Sequence, residues 1–143
     1  MRDFDFWQRW LVSISLLIVV FGVMMAVLGG TAAFDIIDNQ INTVYWDVEG
    51  LDSDTEEFQQ WVYGVMGATM AGWGVMMSLV ARVPFQRKER WAWRATAYSV
   101  GLWFLIDSYV SLSTANYFNE LAVNVPLLVL IVLPLWFTRH EFK

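Results

Sequence analysis

Residues 91–118 read WAWRATAYSVGLWFLIDSYVSLSTANYF. The run is long and apolar enough to cross a bilayer as a helix, and it carries one carboxylate, Asp107, well inside. The spacing predicts a helix over 91–115. Counted back from Ala115 at about 1.5 Å per residue, Asp107 lies roughly 12 Å deep. An isolated charge at such a depth costs about 2.5–3.5 kcal/mol or more, so it must be protonated, paired or turned to water. No Lys, Arg or His of the chain falls at that depth, which excludes an internal salt bridge. Polar residues continue along the same face as Thr96, Ser99, Trp103, Asp107, Ser111 and Thr114, at steps of three and four.

Three further apolar runs flank this one. Towards the N-terminus, Val83–Arg90 is a tight connection in which Pro84 stops the preceding helix. That helix is expected over 57–82. Its small residues fall on two faces, Gly64/Ala68/Gly72 and Gly67/Ala71/Gly74/Ser78, a spacing that lets helices approach closely in lipid. Two such faces predict a central helix with more than one neighbour. The first helix is expected over 10–30, with Gly22, Ala26 and Gly30 as its own small face. Small residues at Thr31-Ala32-Ala33 raise the alternative of a cleaved signal peptide, but the mixed-charge start and the long apolar run favour retention. Beyond residue 115 a short turn through Glu120 leads to a fourth helix over 121–137, with Pro126 and Pro134 as tolerated kinks.

Composition agrees: 57% of residues are hydrophobic, 16% are charged and the mean hydropathy is +0.45, less charge than a soluble domain carries. The expected fold is an all-α integral membrane protein, one domain over 1–143, with four transmembrane helices in one bundle. Segment 31–56 is acidic and holds no Lys or Arg. Phe34, Ile37, Ile41, Val44 and Tyr45 share a helical face there, which predicts a short amphipathic helix acting as a lid on the bundle. Asp47, Glu49, Asp52 and Asp54 suggest a calcium loop, but Gly50 falls at the wrong position for one. A capping box of Ser53 and Glu56 accounts for the pattern better.

The net charge of −5 conceals a segregation of sign. With four spans, all Lys and Arg (Arg2, Arg9, the cluster from Arg82 to Arg94, Arg139 and Lys143) fall on one side. The positive-inside rule makes that side cytoplasmic, with both termini inside and the 31–56 loop and the Asn116–Glu120 turn outside. A bacterial-type inner membrane fits, and the bias argues against dual insertion. Nothing basic is suited to nucleic acid.

Two functional readings follow. In the first, the chain handles a small molecule or ion, cationic or proton-coupled, at an intramembrane site formed by Asp107, Trp103, Trp73, Tyr109 and Ser111. The carboxylate supplies charge, the aromatic faces add cation–π attraction, and Gly22 and Met66–Gly67, at the same depth, leave room. The gross layout is similar to that of the small multidrug resistance transporters. Here, however, the acid sits on the third helix, the outer loop is long and no motif is shared. In the second reading, Asp107 bonds a Ser, a Tyr, Asn124 or a backbone carbonyl and pins helices together in a non-catalytic accessory or scaffold subunit, assembled with itself or with a partner membrane subunit. The Met residues at 24, 25, 66, 70, 76 and 77 read as core packing rather than a copper site, and His140 alone builds no metal or haem site. With no Cys, and no base near the Ser and Thr hydroxyls, neither an enzyme nor a cofactor is indicated. A lipid-modifying enzyme ranks third.

Overall fold

The computed structural model describes residues 2–46 and 51–142, the side chain of residue 2 excepted. The regular elements among these residues are all helical: α1 (Arg2–Leu28), α2 (Asp35–Trp46), α3 (Ser53–Arg82), α4 (Arg90–Ser113) and α5 (Val125–Thr138). A π-helical segment, Asn119–Asn124, precedes α5, and a 3-10 turn, Arg139–Glu141, follows it. Three stretches are long and apolar enough to cross a membrane: Asp3–Leu28, Ser53–Arg82 and Asn119–Glu141. By length and composition this is the signature of a membrane protein. α4 is long enough, at about 36 Å, but is not one of the three. Its Arg94, Thr96, Ser99, Asp107, Ser108 and Ser111 dilute its hydropathy.

The helix limits differ from expectation at their polar ends. α3 starts at Ser53 because Asp52, not Ser53, is the cap. Its Oδ1 accepts the N–H groups of Asp54 and Thr55, both at 3.2 Å, and its Oδ2 accepts the Thr55 hydroxyl at 2.7 Å. These bonds, the Thr55 hydroxyl foremost, hold the Asp52 carboxyl below its ordinary value. A carboxylate one residue earlier takes the cap and leaves Ser53 inside the first turn. Asp47 and Glu49 of the calcium-like pattern lie outside the described residues. α1 closes through Gly30, whose φ of +76° suits a residue without a Cβ.

The chain divides into two compact units, Ile18–Gly74 and Met1–Leu17 with Val75–Lys143. In the first, the end of α1 packs on α3 through glycines. A Cβ added at Gly22 would stand 2.6 Å from both the Ala71 nitrogen and the Gly67 oxygen, and one at Gly67 would stand 2.3 Å from the Gly22 oxygen. The space expected beside these glycines is therefore taken up by helix backbone. The other small face is open: nothing of the chain lies within 4 Å of a Cβ at Gly64 or Gly72. α2 covers this pair of helices. Phe34 is buried with Met25 and Tyr63, and Ile37 and Ile41 pack against them, whereas Val44 and Tyr45 of the same sequence face are exposed. The Tyr63 hydroxyl donates to Asp38 at 2.7 Å, and Gln59 Nε2 donates to Asn42 Oδ1 at 2.7 Å.

In the second unit, Phe4, Phe85 and Phe142 form an aromatic plug, with centroids 4.6–6.1 Å apart. Leu11, Val100 and Ile131 of the same unit are almost completely buried. Gln8 Nε2 donates to the Ala81 carbonyl at 2.9 Å. Pro134 has no N–H, so the carbonyl four residues earlier, that of Leu130, loses its helical donor. Trp10 Nε1 supplies one at 2.9 Å. Trp93 Nε1 donates likewise to Leu135, whose carbonyl is one of the last four of α5 and so lacks a partner within the helix.

Candidate functional site

Asp107 stands six residues before the end of α4, about 9 Å from that end. α4 then closes on Ala115, in the left-handed region at φ 57°. The Ala115 N–H meets the Leu112 carbonyl at 3.2 Å, and the Asn116 N–H meets the Ser111 carbonyl at 2.8 Å. This two-bond closure turns the chain sharply back towards α4. The returning strand of sequence is the π-helical segment. Pro126, within the first two residues of α5, cannot donate a backbone bond, and a wider i→i+5 turn precedes it, with the Val125 N–H on the Glu120 carbonyl. The wider turn brings residues five apart towards one face, so Asn119, Glu120 and Asn124 all reach α4.

The result is a closed polar cluster. Asp107 Oδ1 accepts from Ser111 Oγ at 3.1 Å, Asn119 Nδ2 at 2.8 Å and Asn124 Nδ2 at 2.9 Å. Asn119 Nδ2 also donates to Ser111 Oγ at 2.8 Å. Asn124 Nδ2 reaches Glu120 Oε2 at 3.1 Å, and Ser108 Oγ donates to Glu120 Oε1 at 3.1 Å. Because both carboxylates bond one nitrogen, the bonded oxygens lie no more than about 6 Å apart. Asn124 is fully buried, Ser111 and Glu120 are buried, and Asp107 is half-buried. Hydrogen bonds to a charged group contribute about 1.5–3 kcal/mol each.

Of the residues expected here, Asp107 and Ser111 are brought together. Trp103 is half-buried one turn away, edge-on to Phe104 at 6.4 Å. Tyr109 is 74% exposed, because two residues past Asp107 a helix has turned to its far side. Trp73 is half-buried in the other unit. Asn124, considered as a partner on sequence grounds, does donate to Asp107. Glu120, expected in the turn on the outer side, is a second acid of the cluster. It was missed along with Asn119 and Ser108. Their signal was a concentration of carboxamides and an acid, Asn116, Asn119, Glu120 and Asn124, just before a proline.

Chemically, two carboxylates, two carboxamides and two hydroxyls can share a proton or offer oxygen ligands to a small hard cation. Among the described residues no three His, Cys, Asp or Glu side chains gather as a metal site. Two hollows stand out elsewhere in the same unit. One of about 470 Å³ is bounded by Asp5, Phe6, Arg9, Trp10 and Ser13, and one of about 250 Å³ by Arg90, Trp93, Arg94, Arg139 and Phe142. Fold and cluster together define an all-helical protein of membrane type with a paired-acid site. Compared with known protein families, with curated proteins and with solved structures, the chain matches none.

Proposed function

We propose that the chain is a four-span membrane protein that handles a small ion, a proton or small cation, at the cluster around Asp107. α4 serves as the fourth span, and the basic ends of the helices lie on the cytoplasmic side. The observation that carries this reading is the pairing of Asp107 and Glu120 through Asn124, with only neutral donors around them. Paired acids in an apolar setting respond to a proton or a cation, because one added positive charge relieves their repulsion. Intramembrane acids are functional candidates on general grounds. The short bonds from Ser111, Asn119 and Asn124 to Asp107 Oδ1, 2.8–3.1 Å, favour an ion over the larger amphipathic ligand that Trp103, Trp73 and Tyr109 suggested.

A second reading rests on a separate observation. Oδ1 of Asp107 already accepts three bonds, as expected of a clasp that joins α4 to the start of α5 in an accessory subunit. Thermal unfolding of the purified protein across pH and across Li⁺, Na⁺ and K⁺ separates the two. Ion handling predicts that part of the shift with pH, or a shift with one cation, is lost in Asp107→Asn and Glu120→Gln while both variants stay folded; the part due to Asp38 remains. A midpoint indifferent to the cations, with a pH dependence that both variants keep in full, rejects ion handling and leaves the clasp.

A further inference from the structure

We infer that the hollow bounded by Arg90, Trp93, Arg94, Arg139 and Phe142 binds a phosphate group, the chemistry shared by an anionic phospholipid headgroup and free phosphate. Three guanidinium residues border about 250 Å³ of space. Guanidinium forks match phosphate oxygens two at a time. The walls are built rather than loose. Trp93 is held by its bond to the Leu135 carbonyl at 2.9 Å. Phe142 is buried against Phe4 and Phe85. Arg139 lies over the Trp136 ring at 3.8 Å, and its Nε donates to His140 at 3.1 Å.

Of the nearby carboxylates, Glu141 pairs with Lys88 at 2.6 Å, and Glu89 accepts the neutral Trp91 Nε1 at 2.6 Å. Among the described residues, no ion pair neutralises Arg90, Arg94 or Arg139. The backbone adds to the imbalance. Arg90 is the first residue of α4, no acid lies in its first turn, and Glu89 makes no side-chain cap bond. A helix N-terminus is itself positive and favours anions, so cations placed there raise the potential further. Three guanidinium residues border one hollow beside the first turns of α4, and an anion there relieves their repulsion.

Position makes a headgroup accessible. Arg139 is near the end of the apolar stretch Asn119–Glu141, and Trp91 and Trp136 are 55% and 58% exposed beside it, as tryptophans are at a membrane boundary. Basic pockets at such boundaries take anionic headgroups.

The test uses the full chain in detergent micelles with equal mole fractions of phosphatidylglycerol and phosphatidylcholine, and counts retained lipid by native mass spectrometry. Wild type should retain phosphatidylglycerol in preference. Arg94→Gln and Arg139→Gln should each weaken retention about fivefold, and Arg87→Gln, exposed and outside the hollow, should stay within about twofold. Arg94→Gln leaves the Trp136 stack intact, so it decides the matter if Arg139→Gln disturbs folding. Displacement of the lipid by millimolar inorganic phosphate supports the site and assigns it to the free anion. Retention without displacement supports it and assigns it to the headgroup. Equal retention of both lipids, or a loss in Arg87→Gln as large as in Arg94→Gln, overturns the proposal.

Discussion

Gly67→Ala should loosen the contact between α1 and α3, and its size follows from three distances. The new methyl would stand 2.3 Å from the Gly22 oxygen, 2.7 Å from the Ala26 nitrogen and 3.0 Å from the Ala26 Cβ. The two closest neighbours are helix backbone, which cannot rotate away as a side-chain tip can. An ordinary carbon contact needs about 3.5 Å or more, so the helices must separate locally by about 1 Å. Overpacking of this kind costs about 1–3 kcal/mol. Alanine returns about 0.8–1 kcal/mol through helix propensity, so the net effect is a loss of up to about 2 kcal/mol.

Gly64→Ala is the control. No atom lies within 4 Å of its Cβ, so propensity acts alone and the variant should gain up to about 1 kcal/mol. Titration with sodium dodecyl sulfate in mixed micelles, followed by tryptophan fluorescence and helical circular dichroism, reads both. The pair should straddle wild type. Gly22→Ala combined with Gly67→Ala should cost less than the sum, since one separation accommodates both methyls. A Gly67→Ala variant as stable as Gly64→Ala would refute the packing argument. Equal losses in both would show that the open Gly64/Gly72 face is also occupied in the folded protein.

Ala115→Gly should stabilise by about 1 kcal/mol, because Ala115 sits at φ 57°, where a Cβ costs about 1–2 kcal/mol; the same titration checks it, and a loss refutes the strain. Trp10→Phe should cost about 1–3 kcal/mol, the penalty for a carbonyl left unbonded in an apolar setting, here that of Leu130 beyond Pro134; a neutral result would mean that another donor reaches it. Asp38 gives a pH dependence. Burial pushes its carboxyl above the ordinary value, against the pull of the Tyr63 bond, with the charges of Asp35 and Glu56 adding to the rise. A raised folded value means that the stabilising contribution is full below the ordinary value and is lost as pH rises through the folded one. Asp38→Asn keeps an acceptor for Tyr63, so its stability relative to wild type should be higher at pH 7 than at pH 4, and a difference unchanged between the two rejects the assignment.

Most of the helical architecture was legible because apolar runs bounded by Pro84, Gly30 and charged residues have few alternatives. The amphipathic helix was legible for the same reason: Phe34, Ile37 and Ile41 repeat at helical spacing and do face inward. Asp107 and Ser111 were legible as members of one polar face. The rest of the cluster was not, and the reason is periodicity. Sequence spacing was read at 3.6 residues per turn, and on that period Asn119 and Asn124 do not share a face. The π-helical turn ahead of Pro126 changes the period locally, and nothing in an apolar pattern announces it. Tyr109, two residues past Asp107, stands on the far side of the helix and is exposed. The number of spans is ambiguous for a related reason. The polar side chains that build the cluster are the same ones that lower the hydropathy of α4.

α4 carries its charges against its own dipole. The N-terminal end of a helix is positive and its C-terminal end negative, yet Arg90 and Arg94 occupy the first turns and Asp107 lies towards the last. Neither placement adds stability to the helix, so each requires compensation from outside it. At the C-terminal end the compensation is visible: Ser111, Asn119 and Asn124 place three donors on one carboxylate oxygen, and the π-helical turn exists where it can deliver two of them. At the N-terminal end, among the described residues, no carboxylate forms an ion pair with Arg90 or Arg94; Glu141 pairs with Lys88 instead. A helix stabilised at one end by its own chain and left positive at the other is the arrangement expected where the missing counter-charge comes from the surroundings. Anionic lipid should then stabilise the wild type more than zwitterionic lipid does, and Arg94→Gln should remove most of the difference.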